Sequence, residues 1–246
     1  MGSVRSNAEK LATSTLAASP LDDLHDRGNK TRTKYVKSVK DPDSTRCFKA
    51  GTNNKKIGGP VVTKGRWRGY PIFTLTLEER ATCPPHCEQW DECYGNNMPF
   101  GHRVNHTHPL FYKIMENELD SFDYTYPYGY VIRPHILGDF FNESYVRWWG
   151  MQVRNRTALH GWGFTHHRRT SELGLLIDEL INCDRVNIRF SDDPAIANST
   201  KVEDDWEYQP ANNEIVCPEQ LGKTPSCADC SLCWEQRSKR IVFIRH

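Results

Sequence analysis

Leu159-His-Gly-Trp-Gly-Phe-Thr165 and Arg185-Val-Asn-Ile-Arg-Phe-Ser191 are short, mostly apolar runs, and a helical pattern over residues 171–182 separates them. Runs of this length between polar segments are typical of buried strands. Strands that alternate with helices indicate parallel βαβ units. The expected fold is therefore α/β, either an open doubly wound sheet or a full or partial (β/α) barrel of about six mostly parallel strands. The other predicted strands are 71–77, 130–137, 214–216 and 241–245, and the other predicted helices are 108–119 and 142–155.

Polar or metal-liganding residues follow the predicted strands. Cysteines follow the first strand, Gly138-Asp139 the second, His166 to Arg169 the third, Asp192 the fourth and Cys217 the fifth, at near-regular intervals from the second strand onward. In parallel α/β folds, chemistry collects at the carboxyl ends of the strands. We therefore expect these residues to share one edge of the sheet.

The chain has 246 residues, which suffices for one α/β domain, and we assign that domain to residues 59–246. Residues 1–58 are polar and aperiodic, so we expect a largely disordered amino-terminal arm. Between residues 29 and 68, twelve Lys and Arg stand against two Asp. A basic arm binds phosphate backbones or is only a solvated lead-in, and nucleic acid is thus a candidate partner.

No run approaches the roughly 20 apolar residues of a membrane span, and residues 1–27 lack the apolar core of a signal peptide. We therefore expect a cytoplasmic protein without a membrane partner. Cysteines in such a protein suggest metal or redox chemistry rather than disulfides.

The second cysteine group has four members, Cys217, Cys227, Cys230 and Cys233, spaced C-x9-C-x2-C-x2-C. Four thiolates bind either structural zinc or a [4Fe–4S] cluster, and the closely spaced last three favour the cluster. The carboxyl-terminal part of the chain is therefore predicted to be a metal-binding segment.

The first cysteine group has three members, Cys83, Cys87 and Cys93, spaced C-x3-C-x5-C. Three thiolates leave one metal position open for a substrate, a cofactor or a fourth ligand. His86, His102 and Cys47 are candidates for a fourth ligand, and zinc completed by a histidine is the alternative to an iron–sulfur cluster. Cys183 ends a helical pattern among apolar residues and is expected to be core packing.

The order of these elements resembles the radical S-adenosylmethionine enzymes, in which a three-cysteine loop follows the first strand and a glycine-containing turn the second. The resemblance implies that Cys83, Cys87 and Cys93 bind a [4Fe–4S] cluster, and that Gly138 and Asp139 lie at the S-adenosylmethionine. We expect Tyr94 and Ser191, which follow the third cysteine and end the fourth strand, beside the same cofactor. The spacing departs from the C-x3-C-x2-C usual in that superfamily. By the same resemblance, the second group matches an auxiliary cluster.

Residues from about 59 to 246 are also similar to the phage "gene product 88" family. The similar phrases include Thr-Leu-Glu-Glu-Arg-Ala-Thr-Cys83, Cys93-Tyr-Gly-Asn-Asn, His135-Ile-Leu-Gly-Asp-Phe and Cys227-Ala-Asp-Cys-Ser-Leu-Cys-Trp. This resemblance implies a phage or prophage origin, and hence the cytoplasm of a host cell, and no particular reaction.

Two functions follow as hypotheses. The first is a radical S-adenosylmethionine enzyme that modifies a nucleotide or a nucleic acid base and takes electrons from a donor. The second is a zinc-stabilised nucleic-acid-binding protein without catalytic activity. No phosphate-binding loop or hydrolase motif is present in the sequence.

Overall fold

A computed structural model describes residues 33–245. In this part of the chain an eight-stranded sheet has the order β2-β3-β5-β6-β7-β8-β10-β9, and β1 pairs with β4 apart from it. The strands are β1 (Val39–Lys40), β2 (Lys49–Ala50), β3 (Ile72–Thr74), β4 (Arg103–Val104), β5 (Tyr130–Arg133), β6 (Leu159–Thr165), β7 (Val186–Ser191), β8 (Ser199–Glu203), β9 (Glu214–Val216) and β10 (Arg240–Ile244).

All neighbours in the large sheet are parallel except β2 and β3, which confirms the expected α/β class. In the part of the chain that the structure describes, this sheet ends at β2 on one side and at β9 on the other. A full barrel, one of the expected architectures, is therefore wrong for residues 33–245.

Six α-helices accompany the sheet within residues 33–245. Asn142 and Ser171, the first residues of two predicted helices, cap these helices by accepting hydrogen bonds from Tyr145 N and Gly174 N. None of the helices between residues 33 and 245 has the length and apolarity to span a bilayer. The helices are α1 (Glu79–Thr82), α2 (Phe111–Thr125), α3 (Glu143–Asn155), α4 (Glu172–Leu180), α5 (Cys227–Cys230) and α6 (Leu232–Glu235).

Side chains alternate between the two faces of the sheet along each strand, and different helices pack on the two faces. Ile132, Leu159 and Ile188 belong to an apolar cluster with residues of α2, α3 and α4, and this face is called the outer face. Val131 and Trp162 point the other way and pack with Trp234 of α6. The cysteine-rich segment therefore covers the inner face.

The inner face is concave. Phe164 of β6 and Phe243 of β10 lie with ring centroids 5.6 Å apart, although β7 and β8 run between their strands. In a flat sheet three strand spacings amount to about 14 Å. The sheet must therefore curve around the cysteine-rich segment.

The strands after β7 depart from the expected regular repeat. Only the last two residues of β7 pair with the first two of β8, so loop 192–198 joins parallel neighbours without a helical crossover. Strand β10 then inserts between β8 and β9. The prediction that the strand before Cys217 continues the repeat is wrong, because β9 lies at the edge of the sheet.

The predicted arm, residues 1–58, differs from the structure where it is described. Residues 1–32 lie outside the described residues, but residues 33–58 supply β1, β2 and the buried side chains of Cys47, Phe48 and Ile57. The folded domain therefore extends back to at least Thr33, and the expected boundary near residue 58 lies within it. Sparse apolar residues suffice here because the main domain supplies the surface on which they pack.

Candidate metal centres

A buried ion pair holds the helix that leads into the first cysteine group. Glu79 of α1 accepts two hydrogen bonds from Arg103 of β4, at 2.7 and 2.9 Å, and both side chains are at most 3% exposed. Arg103 also donates to the carbonyl oxygens of Gly95 and Gly101 beyond the third cysteine. A bidentate pair of this kind fixes geometry as well as charge, so it clamps both ends of the cysteine loop.

The segment before β1 reinforces this clamp. Thr33 donates from its backbone N to Glu78 and from its hydroxyl to Glu79. Tyr35 donates to the carbonyl of Asn96, just after the third cysteine. Local sequence patterns gave no sign of these contacts, because each joins residues more than 40 positions apart.

The loop that carries Cys83, Cys87 and Cys93 lies near the ends of β5, β6 and β7, because Asp139 acts on Cys83, Asp192 acts on Cys87 and His86 contacts the carbonyl of His166. Burial raises the pKa of the Cys83 thiol well above its ordinary value, and the charges of Asp139, Cys87 and Cys93 raise it further. Burial likewise raises the pKa of Cys87 to about 12, against a hydrogen bond from the backbone of Gln89. Because these thiols hold their protons at neutral pH, a metal would displace protons on binding.

Asp139, predicted to lie at a cofactor, is buried against this group. Its carboxylate accepts hydrogen bonds from Phe140 N at 2.7 Å and from His166 N at 2.7 Å, which ties the loop after β5 to the loop after β6. Each carboxylate oxygen retains capacity for another donor. Asp139 thus places a fixed negative charge next to Cys83.

Gly138 has a packing role of its own. Its φ of +87° favours glycine, and a Cβ there would lie 2.5 Å from Thr82 Oγ1 and 2.8 Å from Leu77 Cβ. Glycine thus allows the turn to touch the end of α1. The predicted cofactor contact at Gly138 remains a prediction.

Tyr94 and Ser191 border the same region. Tyr94 is half-exposed and donates its hydroxyl hydrogen bond to the carbonyl of Ile136. Ser191 ends β7, and the charge of the next residue, Asp192, raises the pKa of Cys87. The predicted cofactor contacts of Tyr94 and Ser191 remain predictions.

The candidates for a fourth ligand lie in different places. Cys47 packs in the apolar cluster of the outer face, and its backbone N donates to Glu118 at 2.7 Å, so it does not join the first group. His86 lies within the loop and places Nε2 3.0 Å from the carbonyl of His166. That carbonyl requires a protonated Nε2, which leaves Nδ1 of His86 as its ligand atom. His102 is exposed.

The second group lies in the segment that covers the inner face. Cys217, Cys227, Cys230 and Cys233 all line one recess, together with Trp234 and Ile241. Ser226 caps α5, and the backbone N atoms of Cys227 and Ala228 donate to the carbonyls of Lys56 and Ile57. Residues of the predicted arm therefore hold this group too.

The cations Arg189 and Lys56 act on the second group, and Glu219, which pairs with Lys56, acts against them. Burial raises the pKa of Cys233 to about 12, whereas the guanidinium of Arg189 acts to lower it. Burial also raises the pKa of Cys217, opposed by hydrogen bonds from the backbones of Gln220 and Glu219 and by the charge of Lys56. Backbone donors to sulfur and nearby cations favour thiolates.

The spacing of the sulfur atoms bears on the metal. Zinc bound by tetrahedral thiolates holds them about 3.8 Å apart, given Zn–S bonds of about 2.3 Å. In residues 33–245 no three cysteine sulfurs lie within 4.8 Å of one another. In the described residues, neither group therefore holds three sulfurs within the span of one tetrahedral zinc site.

One other group, Asp41, Asp43 and His108, brings three possible ligand atoms within 4.8 Å of one another in the described residues. His108 Nδ1 accepts from Leu110 N at 3.3 Å, and its Nε2 faces Asp43 at 3.8 Å. An acceptor Nδ1 leaves the proton on Nε2, the atom that would have to bind the metal. These contacts account for the group without a bound ion.

No protein-family model, curated protein or solved structure matches the chain.

Proposed function

We propose that this protein is an iron–sulfur enzyme of radical S-adenosylmethionine type, in which Cys83, Cys87 and Cys93 hold a [4Fe–4S] cluster. The observation that carries the proposal is that the buried Asp139 carboxylate, at the end of a parallel strand, acts on Cys83 together with Cys87 and Cys93. The curved, open sheet supports the partial-barrel architecture expected of such an enzyme.

The charges of the first group support a cationic occupant. The carboxylate of Asp139 acts on Cys83 and Cys87, and that of Asp192 acts on Cys87, whereas Glu79 is already paired with Arg103. Thiolates among buried carboxylates are unfavourable unless a cation joins them. An iron–sulfur core and the ammonium of S-adenosylmethionine are both cationic, so the donor set fits them.

Each part of the site then has a task. The three thiolates leave one metal position for the amino acid end of the cofactor, and Asp139 would bind its ammonium. When bound, the cluster supplies an electron to the sulfonium, which leads to hydrogen abstraction from a substrate. An external electron donor is the implied partner.

We extend the proposal to the second group, Cys217, Cys227, Cys230 and Cys233, as a closed site for a second [4Fe–4S] cluster or for zinc. Their common recess supports this assignment. The substrate class that we propose is a nucleotide or a nucleic acid base in the cytoplasm of a phage host, because Lys and Arg dominate residues 29–68.

Anaerobic preparation followed by iron and sulfide analysis tests the proposal. We expect a brown protein with about four iron and four sulfide per cluster, which produces 5′-deoxyadenosine from S-adenosylmethionine when reduced. Cys93→Ala should abolish this cleavage and leave the second site loaded. Cys183→Ala, at a half-buried cysteine outside both groups, is the matched control and should retain cleavage.

A colourless protein with about one zinc per cysteine group would instead support the zinc-stabilised nucleic-acid-binding alternative. Equal cleavage by Cys93→Ala and Cys183→Ala would remove the first group from the chemistry.

A further inference from the structure

Arg189 of β7 is a fully buried cation on the inner face of the sheet. Its exposed fraction is 0%, and its strand is buried along nearly its whole length. The register with β6 puts Arg189 beside Phe164, which points into the concave side. The guanidinium therefore lies under the cysteine-rich segment.

All the hydrogen bonds that Arg189 makes among the described residues go to backbone carbonyl oxygens. Nε donates to Cys233 O at 3.1 Å, and the other two nitrogens donate to the carbonyls of Ser199, Lys239 and Gln236. These bonds satisfy the donors but leave the positive charge without a carboxylate. A buried charge without an opposite charge is strongly unfavourable.

The cysteines are the groups that can supply the missing anion. Asn187, two residues earlier on the same face of β7, donates to the same Cys233 carbonyl at 2.7 Å, so β7 grips the backbone of a candidate ligand twice. Four thiolates around a divalent ion or a four-iron core carry a net charge of about −2. Such a centre beside Cys233 would neutralise the guanidinium.

We propose that Arg189 is the built-in counter-charge of an anionic metal–tetrathiolate centre at Cys217, Cys227, Cys230 and Cys233. The inference rests on the proposed metal binding by the second group, and it deepens that proposal by stating the charge of the bound group. Arginine suits this position because its planar fork reaches several carbonyls at once while it keeps its charge. Arg189 is a positioning residue that acts on the metal through a ligand.

The test uses the full chain with Cys83, Cys87 and Cys93 changed to Ala, so that only the second group binds metal. Zn²⁺ is titrated against a chelator, and iron and sulfide are reconstituted anaerobically in a parallel sample. Arg189→Met should weaken metal binding about 10- to 100-fold, as loss of an outer-shell partner typically does. Arg189→Lys, which keeps the charge, should retain more of the affinity than Arg189→Met.

Arg237→Met is the matched control. Arg237 also donates to two backbone carbonyls, those of Ile181 and Val186, and no cysteine of the second group acts on it. Its charge acts on Arg189 and not on a cysteine of the second group, so its loss should change metal affinity far less than Arg189→Met does. In the iron-loaded sample, Arg189→Met should also lower the midpoint potential, because removing a cation disfavours the added electron.

Thermal unfolding separates this role from a merely structural one. Arg189→Met also removes a donor to four backbone carbonyls, so its effect on the metal-free Tm is measured separately, and the increase in Tm on metal binding should shrink. Unfolding of Arg189→Met with and without metal, or equal metal affinity for Arg189→Met and Arg237→Met, would overturn the inference alone. Failure of the parent to bind any metal would overturn the proposed second site together with it.

Discussion

The two cysteine groups carry the same ligand atom in different electrostatic surroundings. The first lies at the carboxyl ends of parallel strands, where Asp139 places negative charge beside Cys83 and Glu79 is paired with Arg103. The second lies across the concave face, where Arg189 places positive charge beside Cys233. Ligand identity alone therefore does not define a site, because the neighbouring charges decide what else the site will accept.

This difference matches the openness of each group. On the proposed metal binding, the first group, with three cysteines beside Asp139, would still accept a cation. The second, with four cysteines and the buried guanidinium of Arg189 bonded to the Cys233 carbonyl, would have a compensating cation in place. Chemistry on an added molecule is expected at the first group, and structural or electron-transfer duty at the second.

The largest expected effect comes from removing the buried ion pair that holds the first cysteine group but not the second. Arg103→Met leaves the buried Glu79 carboxylate unpaired, and breaking such a pair costs about 3–5 kcal/mol. Chemical denaturation should report this loss, and metal analysis should show the first group emptied before the second. Arg147→Met, which removes an exposed ion pair with Glu143, should cost no more than about 0.5 kcal/mol. Equal losses for the two variants would contradict the clamp.

The next effect concerns pH. Burial lowers the pKa of His135 to about 4, even though the charge of Asp139 acts in the opposite direction. The unfolded chain protonates near pH 6.5, so stability should fall as pH drops from about 6.5 to 4, by up to about 3 kcal/mol. His135 has a φ of +61°, which Asn tolerates. His135→Asn should flatten the pH dependence of unfolding over this range, and an unchanged slope would contradict the assignment.

Substitutions at two glycines test how tightly the helix that carries Cys227 and Cys230 of the second group is packed. Gly58 and Gly69 both have left-handed backbones, but a Cβ at Gly58 would lie 2.3 Å from Ser226 Cβ, whereas a Cβ at Gly69 meets nothing within 4 Å. Gly69→Ala should cost about 1 kcal/mol through backbone strain. Gly58→Ala should cost about 1–3 kcal/mol more, measured by urea denaturation, and should release metal from the second group only. Similar costs would show that α5 tolerates displacement.

The smallest expected effect concerns β9, which leads into the second group. Burial would raise the pKa of Glu214, but hydrogen bonds from Lys201 and Tyr208 outweigh it and lower the pKa to about 2. The pair therefore stabilises the fold above about pH 4, and this contribution disappears as pH falls to about 2. Glu214→Gln should lower the free energy of unfolding by about 1 kcal/mol at pH 7. The difference in free energy of unfolding between Glu214→Gln and the unmodified chain should shrink in acid. A difference that stays constant with pH would contradict the assigned role of Glu214.

Local patterns predicted the centre of the sheet well. Strand β6 spans the predicted residues, Leu159–Thr165. Two predicted helices begin where expected, with Asn142 and Ser171 as their capping residues. These elements are buried and strongly periodic. Strand β8, Ser-Thr-Lys-Val-Glu, was missed because it has little apolar character and is held by the strands on either side.

For the candidate sites, the sequence predicted the candidate ligand residues but not the charged residues around them. Both cysteine groups are evident from spacing, but the buried charges around them come from distant residues. The polar alternation of Asn187, Arg189 and Ser191 within a buried strand was the available sign that the inner face faces something polar. Contacts such as Thr33 with Glu79 have no local signature, since only the completed fold brings the two residues together.

The contact between Lys56 and Cys227 has a consequence for how the protein is made. Lys56 is synthesised long before Cys227. Contacts of such wide sequence separation form late in folding, because closing the loop between the two residues costs conformational entropy. Until the cysteine-rich segment is synthesised and packed, Trp67 and Trp162, which it contacts through Trp234, remain exposed and can associate with other chains. A metal that fastens the second group would then mark the end of this vulnerable interval, and its scarcity would show as aggregation of newly made protein.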